Sequence, residues 1–270
     1  DTARGRAKAA RLVGAVKATA RAIVRQAQLG SFQPGRSEVR FGRGCEYPPL
    51  AITLPGGASY ALSGRIDRVD EAEIEGQSYY RVVDYKSGGA MFDFTQLYHG
   101  LKLQLPLYVA AIQVVEGLAA PAGMYYMPIA DPVTQEAEVP LAERIQEAFR
   151  LRGLTLSEEA VVEATAGQDP ANRLIPTGKA AAGLVEQAEL DAVVGFAKDK
   201  ARDTLSTIMQ GEAAVSPARC RRQDACDGCD YKGVCGFDPA AGGKARDLRS
   251  LNRAAFFAAI SGGDGHEMDD

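Results

Sequence analysis

Apolar and polar residues along the chain follow two periods, one typical of helices and one typical of strands. Apolar side chains recur every three or four residues in the alanine-rich segment 3–28 and in Gln187–Gln210, which predicts two amphipathic helices. Between these helices, alternation of apolar and polar residues predicts strands joined largely by hairpins. The predicted strands are Ser37–Gly42, Ala51–Leu54, Ser59–Val69, Tyr79–Lys86 and Ala122–Ile129.

Turn-forming and helix-breaking residues separate these elements. The polar stretch Asp70–Gln77 predicts a connection between two strands of an antiparallel sheet. Phe94–Gly117 has a helical pattern, but Pro106 lies inside it and would interrupt the hydrogen bonds of a helix interior. We therefore expect a second helix that begins near Leu103 and holds Pro106 in its first turn. The whole chain divides into an N-terminal helix (1–30), a core (31–132), a helical or mixed extension (133–211), a cysteine-rich segment (212–260) and a disordered tail (261–270).

Composition excludes several classes of protein. The 270 residues are 46% hydrophobic and 24% charged, which is ordinary for a globular chain. Because 31 basic residues face 35 acidic ones, for a net charge of −4, any surface for nucleic acid must be local. The longest apolar stretches are too short to span a bilayer and no basic-then-apolar leader is present, so we expect a cytoplasmic protein without a membrane partner.

The sequence also lacks two common sets of catalytic residues. Only His99 and His266 occur, which excludes mechanisms that need several histidines or a Ser-His-Asp triad. The nearest approaches to a phosphate-binding loop, at Gly178-Lys179-Ala180 and Gly243-Lys244-Ala245, lack the required hydroxyl residue. The chain therefore has no ATPase loop.

The first predicted helix is strongly basic. Its cations are Arg4, Arg6, Lys8, Arg11, Lys17, Arg21 and Arg25. Such a run usually forms a solvated helix face, and the alternative is a helix that lies along a phosphate backbone.

Two carboxylates and a lysine are predicted to meet on neighbouring strands. Side chains alternate along a strand, so Asp84 and Lys86 project from one face, and Asp67 lies across from them if the two strands pair. Carboxylate oxygens suit Mg²⁺, and a lysine beside that ion can orient water and stabilise charge on a phosphate. The alternative is a surface ion pair of little consequence. A second copy of the tripeptide, Asp230–Lys232, has no strand before it, and we interpret it as a coincidence.

Four cysteines are clustered in sequence, and a fifth, Cys45, is alone. The clustered residues are Cys220, Cys226, Cys229 and Cys235. In a chain without an export signal such a cluster more often binds metal than forms disulfides. The spacing alone leaves Zn²⁺ and an iron–sulfur cluster open, and slightly favours zinc.

Several of these motifs occur in the order found in one nuclease family. The matching strings are Gly64–Arg68, Val83–Gly88, Gly100–Tyr108, Ala122–Tyr126 with Asp131-Pro132, and Cys226-x-x-Cys229-x5-Cys235-x-Phe237-Asp238-Pro239. Together they resemble the RecB-like branch of the PD-(D/E)XK nucleases, and within it the C-terminal nuclease domain of the AddB component of AddAB-type helicase–nucleases. The resemblance covers most of residues 30–240.

The resemblance implies a fold and a set of site residues. The implied fold is α/β, a restriction-endonuclease-like core in which a mixed sheet with a central hairpin is flanked by helices, followed by a cysteine-rich metal-cluster segment. Asp67 and Asp84 would be metal ligands and Lys86 the catalytic lysine. Gln104 and Tyr108, four residues apart and otherwise an ordinary polar pair of a helix, would support them. Glu38 matches an acidic position of the family, although a surface glutamate is an equally good interpretation.

The resemblance also implies cofactors, a reaction and a partner. The cofactors would be Mg²⁺ and a 4Fe-4S cluster held by Cys226, Cys229 and Cys235, with a fourth ligand supplied from far upstream, outside this chain; Cys220 or Cys45 is the alternative within it. The reaction would be exonucleolytic hydrolysis of the 5′-terminated DNA strand during double-strand break repair. The partner would be the AddA-type helicase–nuclease component, which carries the ATPase motor.

Three other functions remain open from the sequence. A stand-alone RecB-like exonuclease of the Cas4 type would share the cysteine pattern, although the long segment after Pro132 fits the AddB arrangement better. A nuclease-like module that only binds DNA is disfavoured by the intact Asp67, Asp84 and Lys86. A zinc-stapled interaction module would make the acidic pair a coincidence.

Overall fold

A computed structural model describes residues 2–88, 91–115, 119–131, 140–167, 174–175, 183–220 and 223–262. The tail predicted to be disordered lies, from residue 263 onward, outside the described residues. The helices are α1 (Ala3–Leu29), α2 (Phe94–Tyr98), α3 (Gln104–Gln113), α4 (Leu141–Ala148), α5 (Glu159–Ala166), α6 (Gln187–Met209) and α7 (Arg253–Ser261). The strands are β1 (Gln33–Phe41), β2 (Leu50–Thr53), β3 (Ser59–Leu62), β4 (Gly64–Ile74), β5 (Gln77–Lys86), β6 (Ala120–Pro128), β7 (Arg152–Leu156), β8 (Leu184–Val185), β9 (Ala218–Cys220), β10 (Gln223–Asp224) and β11 (Arg246–Asp247).

The chain forms two compact units. The first comprises Asp1–Ala51, Ala61–Phe92 and Gln104–Val194, and the second comprises Ile52–Tyr60, Asp93–Leu103 and Gly195–Asp270. The first contains a six-stranded sheet in the order β1-β4-β5-β6-β7-β8. The second contains a three-stranded sheet, β10-β9-β11, that follows the long helix α6.

The large sheet is mixed, which agrees with the expected α/β class. β4 pairs antiparallel with β1 and with β5, β5 pairs parallel with β6, and β6 pairs antiparallel with β7. β7 and β8, from the stretch 133–211 that was predicted as a helical or mixed extension, are strands of this same sheet. Their short apolar runs gave no clear period, so they could not be recognised as strands from the sequence.

The β4–β5 hairpin is longer and tighter than the sequence predicts. The connection predicted over Asp70–Gln77 is wrong, because β4 continues to Ile74 and only Glu75 and Gly76 form the turn. Both turn residues have positive φ, 52° and 81°, as the favoured two-residue hairpin turns require. Polarity was misleading here because Asp70 is a buried residue of the strand rather than a residue of a loop.

Helices cover both faces of the β4–β5 hairpin. On one face, called the α3 face, lie Asp67 and Asp84, and Tyr80 donates a hydrogen bond from its hydroxyl to the carbonyl oxygen of Val109 in α3, at 3.3 Å. On the other, called the α1 face, Val83 packs in a buried cluster with Ala22 of α1. The predicted break around Pro106 is confirmed, since α2 ends at Tyr98 and α3 begins at Gln104 with Pro106 in its first turn.

Candidate active site

The register of β4 and β5 brings the two predicted acids to the same level of the sheet. Arg68 pairs with Val83, so Asp67 and Asp84 are the next residues toward the open end of the hairpin. The backbone N–H of Tyr85 donates a hydrogen bond to Oδ2 of Asp67 at 2.9 Å, which fixes that carboxylate against β5. The expected pairing of the two strands is therefore present, with the two carboxylates side by side.

Lys86 connects the acids to helix α3. Its Nζ lies 2.5 Å from Oδ2 of Asp84 and donates a hydrogen bond to Oε1 of Gln104 at 2.8 Å. Nε2 of Gln104 in turn donates to the hydroxyl oxygen of Tyr108 at 2.7 Å. Gln104 and Tyr108 are one helical turn apart, so a single face of α3 holds the lysine in place. The structure thus brings together five of the six predicted catalytic residues.

Burial sets the electrostatics of this cluster. The Asp84 side chain is only 3% exposed, whereas Lys86 is 38% exposed and can meet a substrate from solvent. Burial raises the pKa of Asp84; the ammonium of Lys86 opposes this effect, and the negative charge of Asp67 adds to it. Burial also raises the pKa of Tyr108, so its hydroxyl remains protonated at neutral pH.

The donor set fits a hard divalent cation. Asp84 Oδ2 is buried, makes no hydrogen bond of ordinary geometry and has only the Lys86 ammonium beside it among the described residues. Oδ2 of Asp67 is occupied by the backbone of Tyr85, which leaves its other oxygen for a ligand. Two carboxylates with space for water are a common arrangement for Mg²⁺. The described residues contain no group of three or more His, Cys, Asp or Glu that could hold a metal, so water and substrate would complete the coordination.

Tyr126 is a further residue of the site that sequence reasoning missed. It pairs with Asp84 in the parallel β5–β6 register, and its ring centroid lies 5.4 Å from Nζ of Lys86. Burial and the nearby charge of Asp84 raise the pKa of Tyr126 to about 12. The alternation along β6 carried the signal, because residues that pair across strands share a face, but the partner strand and its register were needed to read it.

Glu38 lies apart from the contacts of this cluster. It falls between the paired residues Ser37 and Val39 of β1, level with Asp67, and its φ of 57° is unusual for a residue other than glycine. Its exposed carboxylate forms an ion pair with Arg65, Oε2 to Nη1 at 2.6 Å, and makes no contact with the other acids in the described part of the chain. The structure thus leaves its predicted catalytic role open.

The clustered cysteines do not form a four-thiolate site in the described structure. Cys220 is buried against Ala218 and Leu248, whereas Cys229 and Cys235 are exposed. Two features do suit a thiolate ligand. Cys226 and Cys229 share a tight turn, with a hydrogen bond from the N–H of Cys229 to the carbonyl oxygen of Cys226 at 3.3 Å, and the N–H of Phe237 donates to Sγ of Cys235 at 3.4 Å. The expected metal cluster is thus not assembled by the described residues.

Comparison with known proteins decides the family. A model of the PD-(D/E)XK nuclease superfamily matches residues 2–236. The chain belongs to this superfamily. It is a nuclease domain, as the sequence predicted, and the matched range contains the whole cluster around Lys86.

Similar proteins named as the second component of an ATP-dependent helicase/deoxyribonuclease cover most of the chain. The protein from Clostridium novyi (strain NT) is 34% identical over 234 residues, which are 80% of this chain and 20% of that relative. The protein from Desulforudis audaxviator (strain MP104C) is 36% identical over 256 residues, or 87% and 22% of the two chains. The chain thus spans about a fifth of the length of these relatives. No helix in the described ranges is long and apolar enough to cross a membrane.

Proposed function

We propose that this domain is a Mg²⁺-dependent DNA exonuclease and the nuclease module of an AddB-type helicase–nuclease component. In this proposal it works in the cytoplasm during double-strand break repair, removes the 5′-terminated strand, and relies on an AddA-type partner for the ATPase motor. Membership of the nuclease superfamily and relatives named as components of a helicase/deoxyribonuclease support this function. The observation that carries it is the contact between the buried Asp84 and Lys86, beside the fixed carboxylate of Asp67.

Asp67 and Asp84 would hold the cation. When bound, Mg²⁺ neutralises charge on the scissile phosphate and assists the attack of water. Asp84 is suited to this task because its buried carboxylate is poorly solvated and gains from a cation beside it. Asp67 is suited because the N–H of Tyr85 orients it without neutralising it.

Lys86 would bind and orient the reacting groups. Its half-exposed ammonium can donate to the attacking water or to a phosphate oxygen, and it keeps its orientation through Asp84 and Gln104. Preorganised cations that face developing negative charge are among the largest contributions to catalysis of phosphoryl transfer. Gln104 and Tyr108 act by holding this ammonium, and Tyr126 limits its movement on the opposite side.

The basic helix α1 would bind the DNA backbone. Between Ala3 and Leu29 the helix has seven cations and no acidic residue. Arg11, Lys17 and Arg21 are exposed and make no ion pair in the described structure. A phosphate backbone is the ligand that complements such a surface, because binding releases the counterions of the DNA.

The cysteine segment would hold a 4Fe-4S cluster that fastens the C-terminal residues to the rest of the protein. Cys226, Cys229 and Cys235 would be three of the ligands, and the fourth would come from outside this chain or from Cys220. The turn at Cys226 and the N–H···S contact at Cys235 support this assignment. Visible absorption and metal analysis of the purified protein test it, since zinc in the absence of iron would instead favour a zinc-stapled segment, and neither metal would remove the assignment.

A cleavage assay on the 270-residue chain tests the catalytic proposal. DNA labelled at the 5′ or the 3′ end is incubated with folded protein and Mg²⁺, and parallel samples receive a chelator. We expect Mg²⁺-dependent hydrolysis with loss of the 5′ label first. A folded chain that binds DNA but does not cut it would favour a catalytically inactive DNA-binding module, and loss of the 3′ label first would overturn the proposed polarity.

A further inference from the structure

The reverse side of the catalytic hairpin contains three buried charges that the proposed reaction does not use. Arg68, Asp70 and Arg81 lie on the α1 face of β4 and β5, and they are 4%, 1% and 1% exposed. Two guanidinium groups against one carboxylate leave a net positive charge in the interior of the sheet packing. Buried ion pairs are costly to desolvate, and apolar residues of similar size often stabilise a protein as well or better. Stability therefore does not by itself explain this arrangement.

Asp70 holds both arginines in fixed positions. Its Oδ1 lies 2.8 Å from Nε of Arg68, and its Oδ2 accepts a hydrogen bond from Nε of Arg81 at 2.8 Å. The guanidinium of Arg81 also lies over the ring of Phe32, 4.6 Å from its centroid. The carboxylate thus fixes the guanidinium of Arg68 relative to both strands of the hairpin.

Arg68 in turn holds Tyr85, the residue between Asp84 and Lys86. Nη1 of Arg68 donates a hydrogen bond to the hydroxyl of Tyr85 at 2.9 Å, and its Nη2 donates to Oε1 of Gln26 in α1 at 3.2 Å. The Tyr85 side chain lies on the α1 face, opposite to Asp84 and Lys86. The position of this tyrosine thus depends on a contact below the sheet.

These contacts form a closed ring that passes through the sheet. Arg68 follows Asp67 in the chain and binds the hydroxyl of Tyr85, while the backbone N–H of Tyr85 binds the carboxylate of Asp67. A shift of Tyr85 along the strand would therefore misplace the N–H that orients Asp67. It would also move Asp84 and Lys86, which are its covalent neighbours.

We infer that Arg68 is a positioning residue for the metal site, acting through Tyr85 on the carboxylates of Asp67 and Asp84. Asp70 acts with it by fixing its guanidinium. This inference rests on the proposed function only in that the site binds a divalent cation. The predicted consequence of loosening Tyr85 is weaker cation binding, because partners that orient metal ligands typically contribute about 10- to 100-fold in affinity or activity.

The variant Tyr85→Phe tests the inference, and Tyr79→Phe is its matched control. Tyr79 lies on the same strand and the same face, and its hydroxyl donates to Oε2 of Glu158 at 2.8 Å, remote from the carboxylates. Each variant loses one hydrogen bond to a charged group and keeps its ring. Calorimetric titration with Mn²⁺ in the absence of DNA measures the binding of the cation, and thermal unfolding measures stability.

We expect Tyr85→Phe to weaken Mn²⁺ binding by about 10-fold and Tyr79→Phe to leave it unchanged. Unchanged Mn²⁺ affinity in folded Tyr85→Phe would overturn the inference and show a merely structural contact. Arg68→Lys gives a second reading, because lysine keeps the charge but cannot bind Asp70 and Tyr85 through two nitrogens of one planar group. A folded Arg68→Lys protein with wild-type affinity would likewise overturn the inference. Wild-type protein that binds no Mn²⁺ would instead contradict the proposed function.

Discussion

The chain contains the tripeptide Asp-Tyr-Lys twice, and the two copies have opposite environments. Asp84 is buried on β5 and lies 2.5 Å from Lys86, which is bound to Gln104. In the second copy, Asp230 and Lys232 are exposed and form no ion pair within the described residues. The tyrosine of that copy, Tyr231, is 72% exposed.

The difference shows that context rather than the tripeptide makes a site. A central strand of the sheet excludes water from Asp84, raises its pKa and strengthens its interaction with a nearby cation. The second copy follows the Cys226–Cys229 turn, where solvent screens both charges. Equivalent substitutions in the two environments should therefore have very different effects.

The largest effect is expected at the two lysines. Lys86→Ala should lower the rate of Mg²⁺-dependent DNA cleavage by about 10³-fold, because it removes a preorganised cation from the developing charge. Lys232→Ala should leave the rate within about 2-fold, since surface charges contribute little. Single-turnover cleavage measures both. Equal losses in the two variants would contradict the contrast.

A smaller effect is expected one contact further away. Gln104→Ala removes the group that fixes Lys86 without removing the ammonium, so cleavage should fall by about 10- to 100-fold. Gln113→Ala, at the C-terminal end of the same helix, is the control and should retain the wild-type rate. If Gln104→Ala cleaves at the wild-type rate, Lys86 is held adequately by Asp84 alone.

The stability of Asp84→Asn should depend on pH. Because burial raises the folded-state pKa of Asp84, its ionisation costs more in the folded than in the unfolded protein. The native carboxylate therefore lowers stability once the pH exceeds the ordinary aspartate pKa, and this cost is absent at lower pH. Asp84→Asn should raise Tm near neutral pH without metal, and its advantage should disappear on acidification. Calorimetry measures both, with Asp230→Asn as a control that should have the wild-type Tm at each pH.

The smallest effect is expected at the basic helix. Arg11→Gln with Lys17→Gln removes two exposed cations from α1 and should lower DNA affinity several-fold, with a salt dependence reduced by about two counterions. Lys198→Gln with Arg202→Gln in α6 is the matched control, because acidic neighbours such as Asp199 accompany those cations. Fluorescence anisotropy over a range of salt concentrations measures the slopes. Equal slopes for the two double variants would rule out α1 as a DNA-binding surface.

Part of this site could be predicted from the sequence because it depends on local periodicity. Alternation along two neighbouring strands placed Asp67 near Asp84 and Lys86, and helical spacing placed Gln104 and Tyr108 on one face. The register of the β4–β5 hairpin needed only the adjacent strand. These contacts follow from secondary structure and its nearest neighbour in the chain.

The remainder depends on pairing between distant segments. Tyr126 reaches Asp84 only through the parallel register of β5 and β6, which the sequence does not encode locally. Asp70 was assigned to a connection because charged residues rarely occupy a sheet interior, and its partner Arg81 lies on the next strand. The positive φ of Glu38 has no signature in the residue type either.

The most direct measurement compares Asp84→Asn with Asp230→Asn in the same protein. Each variant is tested for folding by circular dichroism, for Mn²⁺ binding by calorimetry and for Mg²⁺-dependent cleavage of labelled DNA. We predict that Asp84→Asn folds but loses both cation binding and cleavage, while Asp230→Asn retains both. A folded Asp84→Asn protein that still cuts DNA, or a folded Asp230→Asn protein that does not, would contradict the assigned site.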